Sequence, residues 1–191
     1  KRKVVISLAL VLSSLASIPT AWSATTLLGS ISAITTTLDQ GTVTVTPPTT
    51  NSPGAFSVSF DNPAIASAKG LVVTLLAPGT TRITFSQAAS GAFASATRTV
   101  QFYVRPGTPK LGVFASKTVA LNTNSLTLEA PTSTSKGSWT FTSSDAAIAS
   151  VTGNKVTLLD GGKVTITATQ GATAEWLTAN ASMELTITAV T

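Results

Sequence analysis

The chain contains the same long segment twice. Residues 148–170 read IASVTGNKVTLLDGGKVTITATQ, and residues 65–87 read IASAKGLVVTLLAPGTTRITFSQ, 83 positions earlier and without a gap. At that offset Gly54 falls on Gly137, Gly70 on Gly153, Val73 on Val156, Gly79 on Gly162, Ile83 on Ile166 and Gln87 on Gln170. Large aromatics correspond as well, Phe56 with Trp139 and Phe93 with Trp176. Upstream, Leu28-Gly29 matches Leu111-Gly112, Leu38 matches Leu121, and Pro48-Thr49 matches Pro131-Thr132. Solenoid repeats run to about 20–50 residues, so a period this long is a whole small domain. The chain must therefore fold into two units of one kind.

Local pattern gives the kind. In the second copy Val164, Ile166 and Ala168 alternate with threonines, the period of a strand with one buried and one wet face. Asp160-Gly161-Gly162 separates that run from the β-prone segment 154–159, as a hairpin turn or a crossover between sheets would. Strands are expected near 28–34, 42–46, 55–60, 65–68, 71–76, 80–86 and 97–104 in the first copy. In the second they are expected near 112–114, 117–121, 125–130, 138–143, 147–151, 154–159, 163–169 and 182–190. Expected core positions include Leu126, Leu128, Trp139, Phe141, Met183, Leu185 and Ile187. The segment 47–54, PPTTNSPG, reads as a loop, and Arg105-Pro106-Gly107-Thr108-Pro109 as a short stiffened linker, since proline fixes φ. The expected division is a leader at 1–23, domains at 24–105 and 110–191, and a linker at 106–109. The expected fold class is all-β: two tandem Ig-like β-sandwich domains behind an N-terminal signal peptide.

The run Trp139-x-Phe141-x-Ser143-Ser144-Asp145-Ala146-Ala147-Ile148-Ala149-Ser150-Val151 leads into Gly153, Val156-Thr157, Gly162 and 166–169, ITAT. It resembles the bacterial Ig-like domain of group 2, which also occurs in invasin- and intimin-type surface proteins. The resemblance covers most of both copies. It implies a spacer or adhesive module, in tandem. The first copy departs from it: Ala68 stands where Val151 does, and Phe85 where Ala168 does, so its core must pack differently.

Composition narrows the chemistry. With no His and no Cys in 191 residues, Ser-His and Cys-His nucleophile systems, disulfides and thiolate metal sites are excluded. The only acidic turn residues that invite a cation are Asp61 beside Asn62, Asp145 and Asp160, and no calcium-loop spacing joins them. Turn and capping duty explains them. The acids also form no facing pair of the kind glycoside hydrolysis uses. No residue is therefore assigned to catalysis, to a cofactor or to a metal, and no enzyme activity is expected. Trp139 and Trp176 are candidates for a sugar-stacking platform, against core packing for Trp139 and a core or domain-edge plug for Trp176. The net charge of +5 includes Lys1, Arg2 and Lys3; without them 9 basic residues face 7 acidic ones. No basic stripe with interleaved aromatics is present, so no nucleic-acid partner is expected. Threonine-rich faces such as Thr42 to Thr46 follow from β-propensity, or else serve lateral association at open strand edges.

Residues 1–23 read as a secretory signal: a basic start, an apolar run from Val4 to Leu15, Pro19, then Ala21-Trp22-Ser23. The apolar run is shorter than the roughly 20 residues of a bilayer span. After signal cleavage no membrane span is expected. The expectation is a secreted, extracellular or cell-surface protein, structural or adhesive. Its partners would be a surface protein, a polysaccharide or itself, the last through strand exchange by residues 24–38. A third possibility is a carbohydrate-binding accessory module of a larger secreted protein. The chain lacks an initiator Met and carries no sorting motif at Thr191, as a processed or longer protein would present it. Cleavage after Ser23 predicts that N-terminal sequencing of the exported protein starts at Ala24; a start within 1–20 contradicts the assigned site.

Overall fold

The computed structural model describes residues 23–189. Apart from Ser23, the expected leader lies outside them. The first half holds β1 (Ile34–Thr37), β2 (Thr42–Thr44), β3 (Phe56–Phe60), β4 (Ala66–Lys69), β5 (Val72–Leu75), β6 (Gly79–Gln87) and β7 (Ala96–Arg105). The second half repeats them as β8 (Lys117–Ala120), β9 (Ser125–Thr127), β10 (Trp139–Ser143), β11 (Ala149–Thr152), β12 (Lys155–Leu158), β13 (Gly162–Gln170) and β14 (Ala179–Thr188).

Each half is two facing sheets. One sheet of the first half runs β1-β7-β6-β3 and the other β2-β5-β4. The second half gives β8-β14-β13-β10 and β9-β12-β11. An Ig constant-type sandwich separates its strands as ABED and CFG. Here the third, sixth and seventh strands form the CFG sheet, and the second, fifth and fourth form the BED sheet. The first strand has moved to lie parallel beside the last, Ile34 opposite Phe102 and Lys117 opposite Leu185. Both halves are thus Ig-like β-sandwiches in tandem. Asp160-Gly161-Gly162 proves to be a crossover: β12 and β13 belong to different sheets.

Two expected strands end up elsewhere. Residues 28–33 form no continuous strand, and the first ladder begins at Ile34. Gly29 N–H instead donates to Thr49 O at 2.8 Å, and Gly112 N–H to Thr132 O at 2.8 Å. These backbone groups are satisfied by a loop, so the segment ties the sandwich end rather than extending a sheet. Strand propensity alone does not separate these two uses of an extended chain.

Burial follows the repeat. Ala66, Val73 and Ile83 in one core and Ala149, Val156 and Ile166 in the other are fully buried. The departure at Phe85 has a local compensation. Phe85 faces Val58 across the β3–β6 ladder, whereas its counterpart Ala168 faces Phe141 across β10–β13. The large member of the pair has changed strands, which keeps one phenyl ring at this level of each core, the Val·Phe pair being larger by two carbons. The neighbours adapt: Phe60 meets Phe102 edge-on with ring centres 5.1 Å apart, while Phe114 meets Phe141 at 6.1 Å. Trp139 is half-buried, opposite Gln170 at the strand end, and lies outside the buried cluster that Phe141 packs against.

Charge contributes little. The ion pair found among the described residues, Lys163–Glu184 at 2.9 Å, is mostly exposed on both sides and is worth about 0–1 kcal/mol. Hydroxyls line the outer faces instead, with Thr84 and Thr99 at 2.8 Å and Thr167 and Ser182 at 3.0 Å across neighbouring strands. Phe85→Ala should cost about 3–5 kcal/mol in urea unfolding. Adding Val58→Phe, which copies the other half's arrangement, should recover about 1–3 kcal/mol of it as a coupling energy. Strict additivity of the two changes would refute the volume exchange.

Candidate functional site

The site is built on a buried amide. Gln170 ends β13, a central strand, and is 1% exposed. Its Nε2 donates to Ser135 O at 3.0 Å and Gly137 O at 3.2 Å, and its Oε1 accepts the Ser133 hydroxyl. Ser133 Oγ also accepts from Ser135 N–H at 3.0 Å, and Ser135 Oγ from Gly137 N–H at 3.1 Å. A polar group so buried must be paired or it destabilises the fold. The loop 133–137 therefore has one shape. Gly137 is required by close approach, since a Cβ there would stand 2.0 Å from Gly171 O. Between the fixed points, Thr134 and Lys136 are left exposed. Lys110 N–H donates to Thr134 Oγ1 at 3.0 Å.

The facing wall is a turn. Thr173 Oγ1 accepts from Glu175 N–H at 3.3 Å and Trp176 N–H at 3.1 Å, and Thr173 N–H donates to Trp176 O at 2.8 Å. Gly107, in the segment between the sandwiches, clips onto this turn. Its N–H donates to Glu175 O at 3.0 Å, and its carbonyl accepts from Leu177 N–H at 2.8 Å. A Cβ on Gly107 would lie 2.7 Å from Asp39 N and 3.0 Å from Trp176 Cζ3. Trp176 is therefore half-buried against the joint.

Loop and turn enclose a surface cavity of about 360 Å³, lined by Thr134, Lys136, Thr173, Ala174, Glu175 and Trp176. It holds an indole, an ammonium, a carboxylate and two threonines. Neither Lys136 nor Glu175 has an ion-pair partner among the described residues. The first sandwich has the same frame. Gln87 Nε2 donates to Ser52 O at 2.9 Å and Gly54 O at 2.8 Å, and its Oε1 accepts from Thr50 Oγ1 at 2.7 Å. Ala24 bridges Phe93 there as Gly107 bridges Trp176. The lining differs: Asn51, Pro53, Ser90, Gly91, Ala92 and Phe93 occupy the corresponding positions. Asn51 is engaged by its own chain, accepting from Leu27 N–H at 2.8 Å and donating to Thr25 O at 3.2 Å.

Asp145 and Asp160, and Asn62 beside Asp61, serve turns. Asp145 Oδ1 accepts from Ala147 N–H at 2.8 Å, Asp160 Oδ1 from Gly161 N–H at 2.7 Å, and Asn62 Oδ1 from Ala64 N–H at 3.0 Å. No group of three or more metal-ligating side chains occurs among the described residues. Sequence reasoning singled out Trp176 and matched Gln87 with Gln170, but it gave no role to Lys136, Glu175 or Gly107. An isolated surface charge carries no spacing signal, and the glycine shows its purpose only when Asp39 and Trp176 converge on it.

No protein-family model and no curated protein matches the chain. Similar solved structures include Drosophila N-cadherin EC1-4, at 12% identity over 82% of this chain and 47% of that one, TM-score 0.35. Human protocadherin-24 EC1-2 matches at 11% identity over 84% of this chain and 94% of that one, TM-score 0.36. A SusE-like surface located polysaccharide binding protein of Bacteroides thetaiotaomicron matches at 10% identity over 81% and 33%, TM-score 0.28. The chain spans about half the length of the N-cadherin structure. Likeness at this level carries no statement about activity.

Gln170→Ala should destabilise the second sandwich by about 2–4 kcal/mol, because two carbonyls and a hydroxyl lose their partner and a cavity opens. Calorimetry should show one transition lowered and the other unmoved. An unchanged thermogram would remove the amide from its role.

Proposed function

We propose that this chain is a secreted or cell-surface, non-enzymatic structural and adhesive protein, built from bacterial Ig-like domains of the group 2 type acting as spacers. The joint at Gly107 is the observation that carries this reading. The glycine is bonded on both sides to the turn of the second sandwich and lies against the Asp39 backbone of the first. Such a contact resists bending, and a spacer needs to hold its ends apart. Residues 24–38 also support it. Ala24 bridges Phe93, Leu28 bridges Thr50 and β1 pairs with β7, so the segment is engaged within its own sandwich. No helix among the described residues is long and apolar enough to cross a membrane. The lack of His and Cys removes Ser-His and Cys-His nucleophile systems, which is in keeping with a contact role.

The mature chain should run as a monomer in size-exclusion chromatography with light scattering over a wide concentration range. Small-angle scattering should fit a single interdomain arrangement. Gly107→Ala, which forces the Asp39 contact apart, should broaden the distance distribution while both unfolding transitions stay within about 1 kcal/mol. Ladders or filaments abolished by deleting residues 24–38 would replace the spacer reading with self-assembly by strand exchange.

A further inference from the structure

We infer that the cavity beside Trp176 is a binding site for a neutral pyranose saccharide presented on a polymer. The inference rests on the surface-adhesive reading above and names its ligand class. Three observations carry it. The cavity, about 360 Å³, is at the small end of ligand sites and admits one or two sugar rings. Its lining combines an indole with polar side chains, and Trp suits a ligand that is apolar on one face and wet on the other. Lys136 and Glu175 stand unpaired in one cavity with opposite charge, so a ligand of net charge meets repulsion from one of them. A neutral polyol meets none. Its hydroxyls accept from the Lys136 ammonium and donate to the Glu175 carboxylate, charge-assisted bonds stronger than neutral ones.

The duplication provides an internal control. Both sandwiches keep the glutamine latch and the bridged turn, so the frame serves the fold. Only the second places indole, ammonium and carboxylate on it; the first has Phe93, Pro53 and Ala92. Lys136 and Glu175 are not needed to build the end of an Ig-like sandwich, because the first sandwich builds it with Pro53 and Ala92; Trp176 also serves the joint. The site is shallow and each contact weak, so useful affinity comes from many chains on one polymer.

The test is affinity electrophoresis of the mature chain through gels containing a soluble α-glucan, β-glucan, mannan or galactomannan, with dextran sulfate as the polyanion. Retardation by at least one neutral polymer is expected. Trp176→Ala should weaken it about 10-fold. Because that ring also packs on the joint, the pair Lys136→Ala with Glu175→Gln is the second variant. Both side chains are exposed, and the backbone bond from Gly107 to Glu175 is untouched. It should weaken retardation about 10-fold with unfolding unchanged. The inference is overturned by three results: no retardation in any neutral gel, retardation by dextran sulfate alone, or neutral retardation that survives both variants. None of these touches the spacer reading, which stands or falls on the scattering data. Saccharide binding in a chain that bends freely would keep the site and discard the spacer.

Discussion

The amide of a buried glutamine holds each half of this protein together at one end. Gln87 and Gln170 sit on the last position of a central strand and reach two carbonyls and a hydroxyl of a loop. Loop backbone cannot join the ladders, so its polar groups must be satisfied by something rigid. A strand paired on both sides is rigid, and an amide offers both donors and an acceptor. Remove that anchor and the loop carrying Thr134 and Lys136 has no fixed path. The candidate site then loses a wall while the sheets remain.

Away from that anchor, the two sandwiches are stabilised by apolar burial with little help from charge. With no Cys no disulfide can form, and the described ion pair is exposed. Core volume is therefore the variable that matters. The exchange of Val58·Phe85 for Phe141·Ala168 shows how a duplicated core drifts: a large side chain moves to the facing strand, and register stays fixed. A shift of register would turn every side chain to the opposite face and is not tolerated.

The joint uses an already existing edge. In both halves the segment ahead of the sandwich pairs with the turn near its last strand, Ala24 with Phe93 and Gly107 with Trp176. In the second half that segment must also pass the Asp39 backbone of the preceding sandwich. Only a residue without a Cβ passes there undisturbed, and the chain has glycine at this position where the first half has alanine. The change from alanine to glycine thus marks a contact between sandwiches, and the changes around Trp176 mark a surface freed from duty to the fold.

By itself the sequence determined the duplication, the all-β class, the alternation that buries Val164, Ile166 and Ala168, and the turns at Gly79 and Gly162. Each is a local or periodic property, visible because strand period and glycine geometry act over a few residues. It also matched Gln87 with Gln170 without a reason for the match. Tertiary structure decided the rest. The first strand's parallel place beside the last, the crossover at Asp160 and the half-exposed Trp139 depend on partners far along the chain. So do the wedge of Gly107 between Asp39 and Trp176 and the meeting of Lys136 with Glu175. The physical reason is the same in each case: burial and pairing are properties of the two surfaces that meet, and only folding brings residues 107, 136 and 176 to one place.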